Sequence, residues 1–288
     1  MPMISVLGVP HTYELTAPTD SQTTLVFVHG WMLSRGYWRP VVDRLAQGYQ
    51  CLTYDLRGFG QSQPCHPREI SQHSPYSLQA YAEDLTHLLE QLGIRKAWLV
   101  GHSLGGSIAL WGAKAMPDRV EGVICVNAGG GIYLKEEFER FRQAGQQMVR
   151  FRPGWLNHVP FLDRVFAQAM VTQKLETHWG RQRIVDFLAA DTEAAKGSLL
   201  DSTTQAEVHR LPQVVARLRQ PVYFIAGTDD RIMELKYVRH LASFHPLFQE
   251  WGANVFEIPH CGHLAMVEQP DLVVQQFREI FAGVCVQV

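Results

Sequence analysis

Ser103 is the residue around which reactive chemistry can be assembled. It stands in Gly101-His102-Ser103-Leu104-Gly105, behind the apolar run Ala97–Val100 and ahead of a small-residue helical segment, Leu104–Met116. A serine at a sharp strand-to-helix turn is held in a strained conformation, and glycines on either side remove the clashes that bulkier residues would cause. The turn lifts the hydroxyl clear of the sheet and aims a helix N-terminus at any developing negative charge. A hydroxyl remains a poor nucleophile until a base takes its proton.

The chain has 13 histidines. His263 lies in Pro259-His260-Cys261-Gly262-His263, past the last apolar run and before the last helical stripe. That is a loop at the carboxyl edge of a parallel sheet, the edge that carries Ser103. His260 is nearer the strand end and lacks a preceding glycine. An imidazolium needs a carboxylate to orient and stabilise it. Asp229 and Asp230 follow the run Val222–Ala226 at the same edge, and either could serve. Asn127, after the preceding strand, is a neutral amide and could not. An oxyanion needs two backbone donors: the amide of Leu104, and that of Trp31 in the turn His29-Gly30-Trp31-Met32 after Thr24–Val28. The Trp31 side chain either lines a pocket or packs the loop. His29 reads as a structural hydrogen-bonder.

The elements that must hold these residues follow from periodicity. Opening strands are expected over 4–15 and 23–28. Further apolar runs of four to seven residues occur at Cys51–Tyr54, Ala97–Val100, Val120–Val126, Val222–Ala226 and Asn254–Ile258. Between them Leu78, Tyr81, Leu85, Leu88, Leu89 and Leu92 share one helical face, with Ser77 as N-cap and Gly93 as stop. Pro117 ends the helix after Ser103, and Val273, Phe277, Ile280 and Phe281 form a last stripe. Strands alternating with helices give an α/β protein, its mostly parallel sheet covered on both faces.

The rhythm breaks between Asn127 and Val222, too long a gap for a simple connection. The expected organisation is a core of residues 1–130 and 216–288, with a helical cap inserted at 131–215. Tyr133, Phe138, Phe141, Phe151, Trp155, Phe161, Phe166, Trp179 and Phe187 make either an apolar tunnel or lid, or the cap's own core. Arginines 140, 142, 150, 152, 164, 181 and 183 are interspersed with acids and read mostly as a solvated face, with a few left to meet a carboxylate or a lipid headgroup.

Composition bounds the function. Of 288 residues 46% are hydrophobic, enough for a sizeable core, and the net charge of −2 gives no reason to expect nucleic-acid binding. The N-terminus has no signal-peptide pattern, and no apolar stretch approaches the roughly 20 residues that span a bilayer. Cysteines 51, 65, 125, 261 and 285 lack metal-site spacing and read as free thiols. The expectation is a cytoplasmic protein, with peripheral membrane association left open by the cap's aromatics. With no H-E-x-x-H helix and no G-x-G-x-x-G after the first strand, neither a metal nor an organic cofactor is expected.

The series His29-Gly30-Trp31, Tyr54-Asp55-Leu56-Arg57-Gly58-Phe59-Gly60-Gln61-Ser62, Gly101–Gly105, Gly227–Asp230 and Gly262-His263 resembles the α/β-hydrolase superfamily, in order and over nearly the whole chain. The resemblance implies that fold and a triad in chain order Ser, Asp, His. The acid falls at the last place of the Gly-x-x-Asp turn, Asp230, while Asp55 and Arg57 belong to the scaffold. Ser103 excludes the relatives that attack with an aspartate. His-Gly-Trp-Met-Leu also departs from the proline iminopeptidase pattern His-Gly-Gly-Pro-Gly. What remains is ester, thioester or lactone hydrolysis, C–C bond hydrolysis of the meta-cleavage type, perhydrolysis, or a low-turnover ligand-binding homologue. A serine esterase acting on a small, lipophilic carboxylic ester is the leading expectation. The cap and its flanks further resemble plastid and cyanobacterial relatives, among them esterases that remove phytol from chlorophyll.

Overall fold

The computed structural model describes residues 1–63, 73–129, 135–249 and 252–286. Eight strands form one sheet: β1 (Met3–Val6), β2 (Val9–Leu15), β3 (Thr24–Val28), β4 (Gln50–Tyr54), β5 (Ala97–His102), β6 (Val120–Val126), β7 (Val222–Gly227) and β8 (Val255–Ile258). Their spatial order is β1-β2-β4-β3-β5-β6-β7-β8. The first two strands pair antiparallel and β2 runs antiparallel to β4; every later pairing is parallel. β3 is buried along its whole length and β5 likewise. Both are covered on two faces, which is why they read as continuous apolar runs and not as alternating ones.

Helices cover the sheet. They are α1 (Arg39–Leu45), α2 (Leu78–Gln91), α3 (Leu104–Ala115), α4 (Lys135–Arg150), α5 (Leu162–Gln168), α6 (Thr177–Ala189), α7 (Thr192–Ser202), α8 (Gln205–Arg217), α9 (Leu235–Ala242), α10 (Ala265–Glu268) and α11 (Pro270–Val286). The sequence signals fall where expected. The Ser77 hydroxyl accepts from the Ala80 amide at the start of α2, and Gly93 takes a positive φ of 68° just past its end. On one face Leu85, Leu88, Ile108, Leu110 and Val123 pack together. On the other, Phe27, Trp38, Val100, Ile225 and Phe277 do the same. Three cysteines, 51, 125 and 261, are free and buried, and burial pushes the Cys51 thiol up to about 12. Cys65 and the side chain of Cys285 lie outside the described residues. No helix among the described residues is long and apolar enough to cross a membrane.

Between β6 and β7 the described chain runs through α4 to α8 and a 3-10 turn at Gly154–His158, joined by short connections and a longer one at 169–176. α8 already shares the core, with Leu211, Val214 and Val215 buried in the cluster that holds α3. Three arginines expected on a solvated face instead bind helix ends. Arg142 donates to the carbonyls of Leu200 and Thr203 at the end of α7, and Arg152 to Phe187 and Ala190 at the end of α6. Arg183 does the same for Phe166 and Ala169 at the end of α5. The last carbonyls of a helix have no partner within it, and a guanidinium fork satisfies two at once while complementing the negative end of the dipole. The sequence shows the arginines but not their acceptors, which lie 14 to 61 residues away.

The aromatics of this region divide as well. Phe166 and Phe187 pack edge to face, and Trp179 lies 5.6 Å from the Tyr37 ring of the sheet domain. Phe151, Trp155 and Phe161 are exposed, which corrects the reading of them as part of a cap core. Tyr133 and the side chain of Phe138 lie outside the described residues.

Candidate active site

Parallel register gathers the loops that matter. Val28 pairs with Tyr54 on one side and with Gly101 on the other; His102 pairs with Val126, and Gly227 with Ile258. The segments carrying Trp31, Ser103, Asn127, Asp230 and His263 therefore all leave the sheet at its carboxyl edge.

Ser103 has φ 51° and ψ −117°, a backbone conformation that costs about 1–3 kcal/mol for a non-glycine residue. The tight turn leaves no room beside it: a Cβ on Gly101 would lie 2.2 Å from the Gly105 carbonyl oxygen. The strain is held by the Ser103 amide donating to Val126 and by α3, which starts at the next residue.

His263 Nδ1 meets Asp230 Oδ2 at 2.7 Å. Asp230 is buried, and its other contacts are donors: the amides of Ile232 and Met233 to Oδ1, and Asn127 Nδ2 to Oδ2 at 2.9 Å. Burial alone would raise its pKa. The neighbouring His263, its hydrogen bond and the two backbone amides outweigh that and hold the carboxyl below the ordinary range. Asp229 is different. It is partly exposed and faces His260, whose Nδ1 is 3.9 Å from its carboxylate and which is itself on the surface. Of the two candidate acids only Asp230 touches His263.

Two further side chains complete the arrangement, and neither was recognisable as part of it from sequence. Asn127, the neutral amide that follows β6, donates to the carboxylate of Asp230 after the next strand. Its second Nδ2 contact, to the Gly262 carbonyl at 3.2 Å, also fixes the histidine loop. His102 Nε2–H donates to the backbone carbonyl of His263 at 2.8 Å, and the two rings lie 4.8 Å apart. Burial, then the charge of His263, pulls the His102 pKa down to about 3, so it stays neutral. Gly30 is needed beside it, because a Cβ there would sit 2.6 Å from His102 Nδ1.

Ser103 Oγ and His263 Nε2 make no hydrogen bond to each other or to any described residue. Such contacts commonly tighten only when substrate is present. The amides of Trp31 and Leu104 likewise donate to no acceptor among the described residues. The Trp31 indole does not stand free in a pocket; its Nε1–H donates to the Ala195 carbonyl in α7 at 2.8 Å. His29 is structural, as expected: Nε2 accepts from the Leu56 amide and Nδ1–H donates to the Gly30 carbonyl. Asp55 and Arg57 are scaffold too. The carboxylate of Asp55 accepts from Arg35 and from the Gln61 amide, and Arg57 pairs with Asp84 at 2.8 Å.

The stretch between α5 and α6 also reaches the histidine loop. The His263 amide donates to the Met170 carbonyl at 2.7 Å, and Glu268 accepts from the amides of Gly262, Thr172 and Gln173. Among the described residues no cluster of three His, Cys, Asp or Glu side chains could hold a metal ion.

The profile of the alpha/beta hydrolase fold matches residues 23–270. The chain belongs to that family. It is 30% identical over 238 residues to a non-heme chloroperoxidase of Streptomyces lividans, covering 77% of this chain and 79% of the relative. Identity is 25% over 271 residues to a pimeloyl-[acyl-carrier protein] methyl ester esterase of Pseudoalteromonas atlantica, covering 91% and 95%. Among solved structures, a thermophilic esterase from Thermogutta terrifontis superposes with a TM-score of 0.74 at 24% identity, over 99% of both chains. These relatives make the chain a hydrolase of this superfamily, and the last of them speaks to the fold alone.

Proposed function

We propose that the chain is a serine esterase acting on small carboxylic esters with an apolar acyl or alcohol part. Ser103 Oγ attacks the ester carbonyl while His263 Nε2 takes its proton. Asp230 holds His263 with Nδ1 protonated and stabilises the imidazolium. The amides of Trp31 and Leu104 bind the oxyanion. His263 then returns the proton to the departing alcohol, and water, activated by the same imidazole, releases the acid from the acyl-enzyme. The helical insertion, residues 131–215, acts as a cap over this edge. The observation that carries the reading is the 2.7 Å contact between His263 and a buried, fully hydrogen-bonded Asp230, on the loops that flank a strained Ser103.

The test is turnover of a panel of nitrophenyl esters of rising acyl length, thioesters and dienoic keto-acids, on wild type beside Ser103→Ala. Ester turnover should fall by about 10⁴-fold or more in the variant. Keto-acid cleavage without ester turnover would replace this reading with C–C bond hydrolysis. A peak at acetate, with nothing on longer chains, would sink the apolar specificity. Similarity to a chloroperoxidase favours a second reading, in which hydrogen peroxide intercepts the same acyl-enzyme and releases a peracid. Peracid formation in acetate and peroxide that is lost in Ser103→Ala would establish it.

A further inference from the structure

Eight of the eleven exposed large apolar side chains among the described residues fall between Met148 and Val185 in the insertion. Phe151, Trp155, Phe161 and Val165 are each 60% exposed or more. Scattered exposed apolar residues are ordinary; a concentration in one lobe marks an interaction surface. The lobe is continuous, because α5 and the 3-10 turn both pack on α6.

Each exposed ring has an arginine at hand. Arg150 precedes Phe151 in the chain and is exposed, whereas Arg152 on its other side is held on the carbonyls of Phe187 and Ala190. Arg181 Nη1 donates to the Asn157 carbonyl in the turn that carries Trp155, and the Arg164 guanidinium lies 4.9 Å from the Phe161 ring centre. Phe161 also takes a left-handed φ of 61° with its ring in solvent, so its backbone strain is offset by no burial of its own. Between Met148 and Arg183 the sequence has Arg150, Arg152, Arg164, Lys174, Arg181 and Arg183 against only Asp163 and Glu176. That stretch has a formal charge of +4 within a chain of −2.

We propose that this lobe is a docking surface for an anionic lipid bilayer. Aromatic rings beside arginines suit the boundary between headgroups and acyl chains, where the ring is taken up and the guanidinium meets phosphate. Negative lipid attracts the excess cations. A second copy of the chain is the poorer occupant, since docking this face on itself would oppose +4 to +4. The inference is independent of the serine esterase reading and fails or stands by binding alone. Its consequence for that reading is positional: Met170, one of the eight exposed side chains of the lobe, accepts from the His263 amide through its carbonyl, so a docked molecule would hold its catalytic loop near the lipid.

The experiment is co-sedimentation of the full chain with vesicles of phosphatidylcholine alone and of phosphatidylcholine mixed with phosphatidylglycerol. Binding to the mixed vesicles should be stronger by about tenfold or more and should weaken with salt. Trp155→Ser with Phe161→Ser should abolish it, and Arg150→Glu with Arg164→Glu should weaken it. Circular dichroism and the urea midpoint report that these variants fold. Absence of binding to the mixed vesicles, equal binding to both kinds, or binding unchanged in the folded serine variant would overturn the proposal. So would a dimer in solution that the serine substitutions dissolve, which would assign the lobe to a second copy.

Discussion

Two aspartates, Asp230 at the sheet edge and Asp186 in the helical insertion, are buried to the same degree, 4% and 3% exposed, and behave in opposite ways. Asp230 accepts four hydrogen bonds, two from backbone amides and one each from Asn127 and His263, and its pKa is lowered. Asp186 accepts from Ser34 Oγ at 2.9 Å and Gln182 Nε2 at 2.9 Å, both neutral side chains. Burial dominates there and raises its pKa to about 6. The sheet edge is built to keep a negative charge buried; the insertion tolerates a carboxyl that it does not fully stabilise. The surrounding donors, and not the depth of burial, decide which carboxylate stands ready beside a histidine.

Removing the charge at each position should sharpen the contrast. Asp230→Asn keeps the shape but no longer fixes the tautomer of His263 or stabilises its cation, so kcat should drop by about 10⁴-fold. A loss of tenfold or less, measured on the best ester at neutral pH, would break the proposed role. Asp186→Asn should act on stability and in the other direction. The native state holds the Asp186 proton up to about pH 6, whereas an unfolded aspartate releases it near 3.8. Stability from this group is therefore present at low pH and lost as pH rises from about 4 to 6. Asp186→Asn, which carries no charge to bury, should be more stable than wild type at pH 7 by on the order of 3 kcal/mol. The difference should shrink toward zero near pH 4. Urea denaturation at both pH values checks this; a difference that does not change with pH would show that Asp186 carries no unfavourable buried charge.

The same contrast explains what could be read from sequence. The strands, the Ser77 cap and the Gly93 stop depend on local pattern. So do the positions of Ser103, of His263 and of the Asp229–Asp230 pair, each set by the turn that follows a short apolar run, while the choice of Asp230 within the pair comes from the family resemblance. Asn127 is legible only as a neutral amide that cannot serve as the acid, because its use as a donor depends on a carboxylate 103 residues later. His102 reads as a filler inside Gly101–Gly105 until its bond to the His263 carbonyl, 161 residues away, is seen. Asp186 sits in a helix with no neighbour to mark it, and its partner Ser34 follows the turn of Trp31. In the insertion the arginine forks depend on which helix ends come together, and periodicity does not carry that information.

The central claim is that Ser103 is the activated nucleophile, and covalent labelling tests it most directly. The folded protein, treated with a fluorophosphonate and examined by intact mass and peptide mapping, should gain one adduct, located on Ser103. Ser103→Ala should gain none, and Asp230→Asn should label far more slowly. A folded wild-type protein that remains unlabelled, or an adduct that persists in Ser103→Ala, would contradict the account.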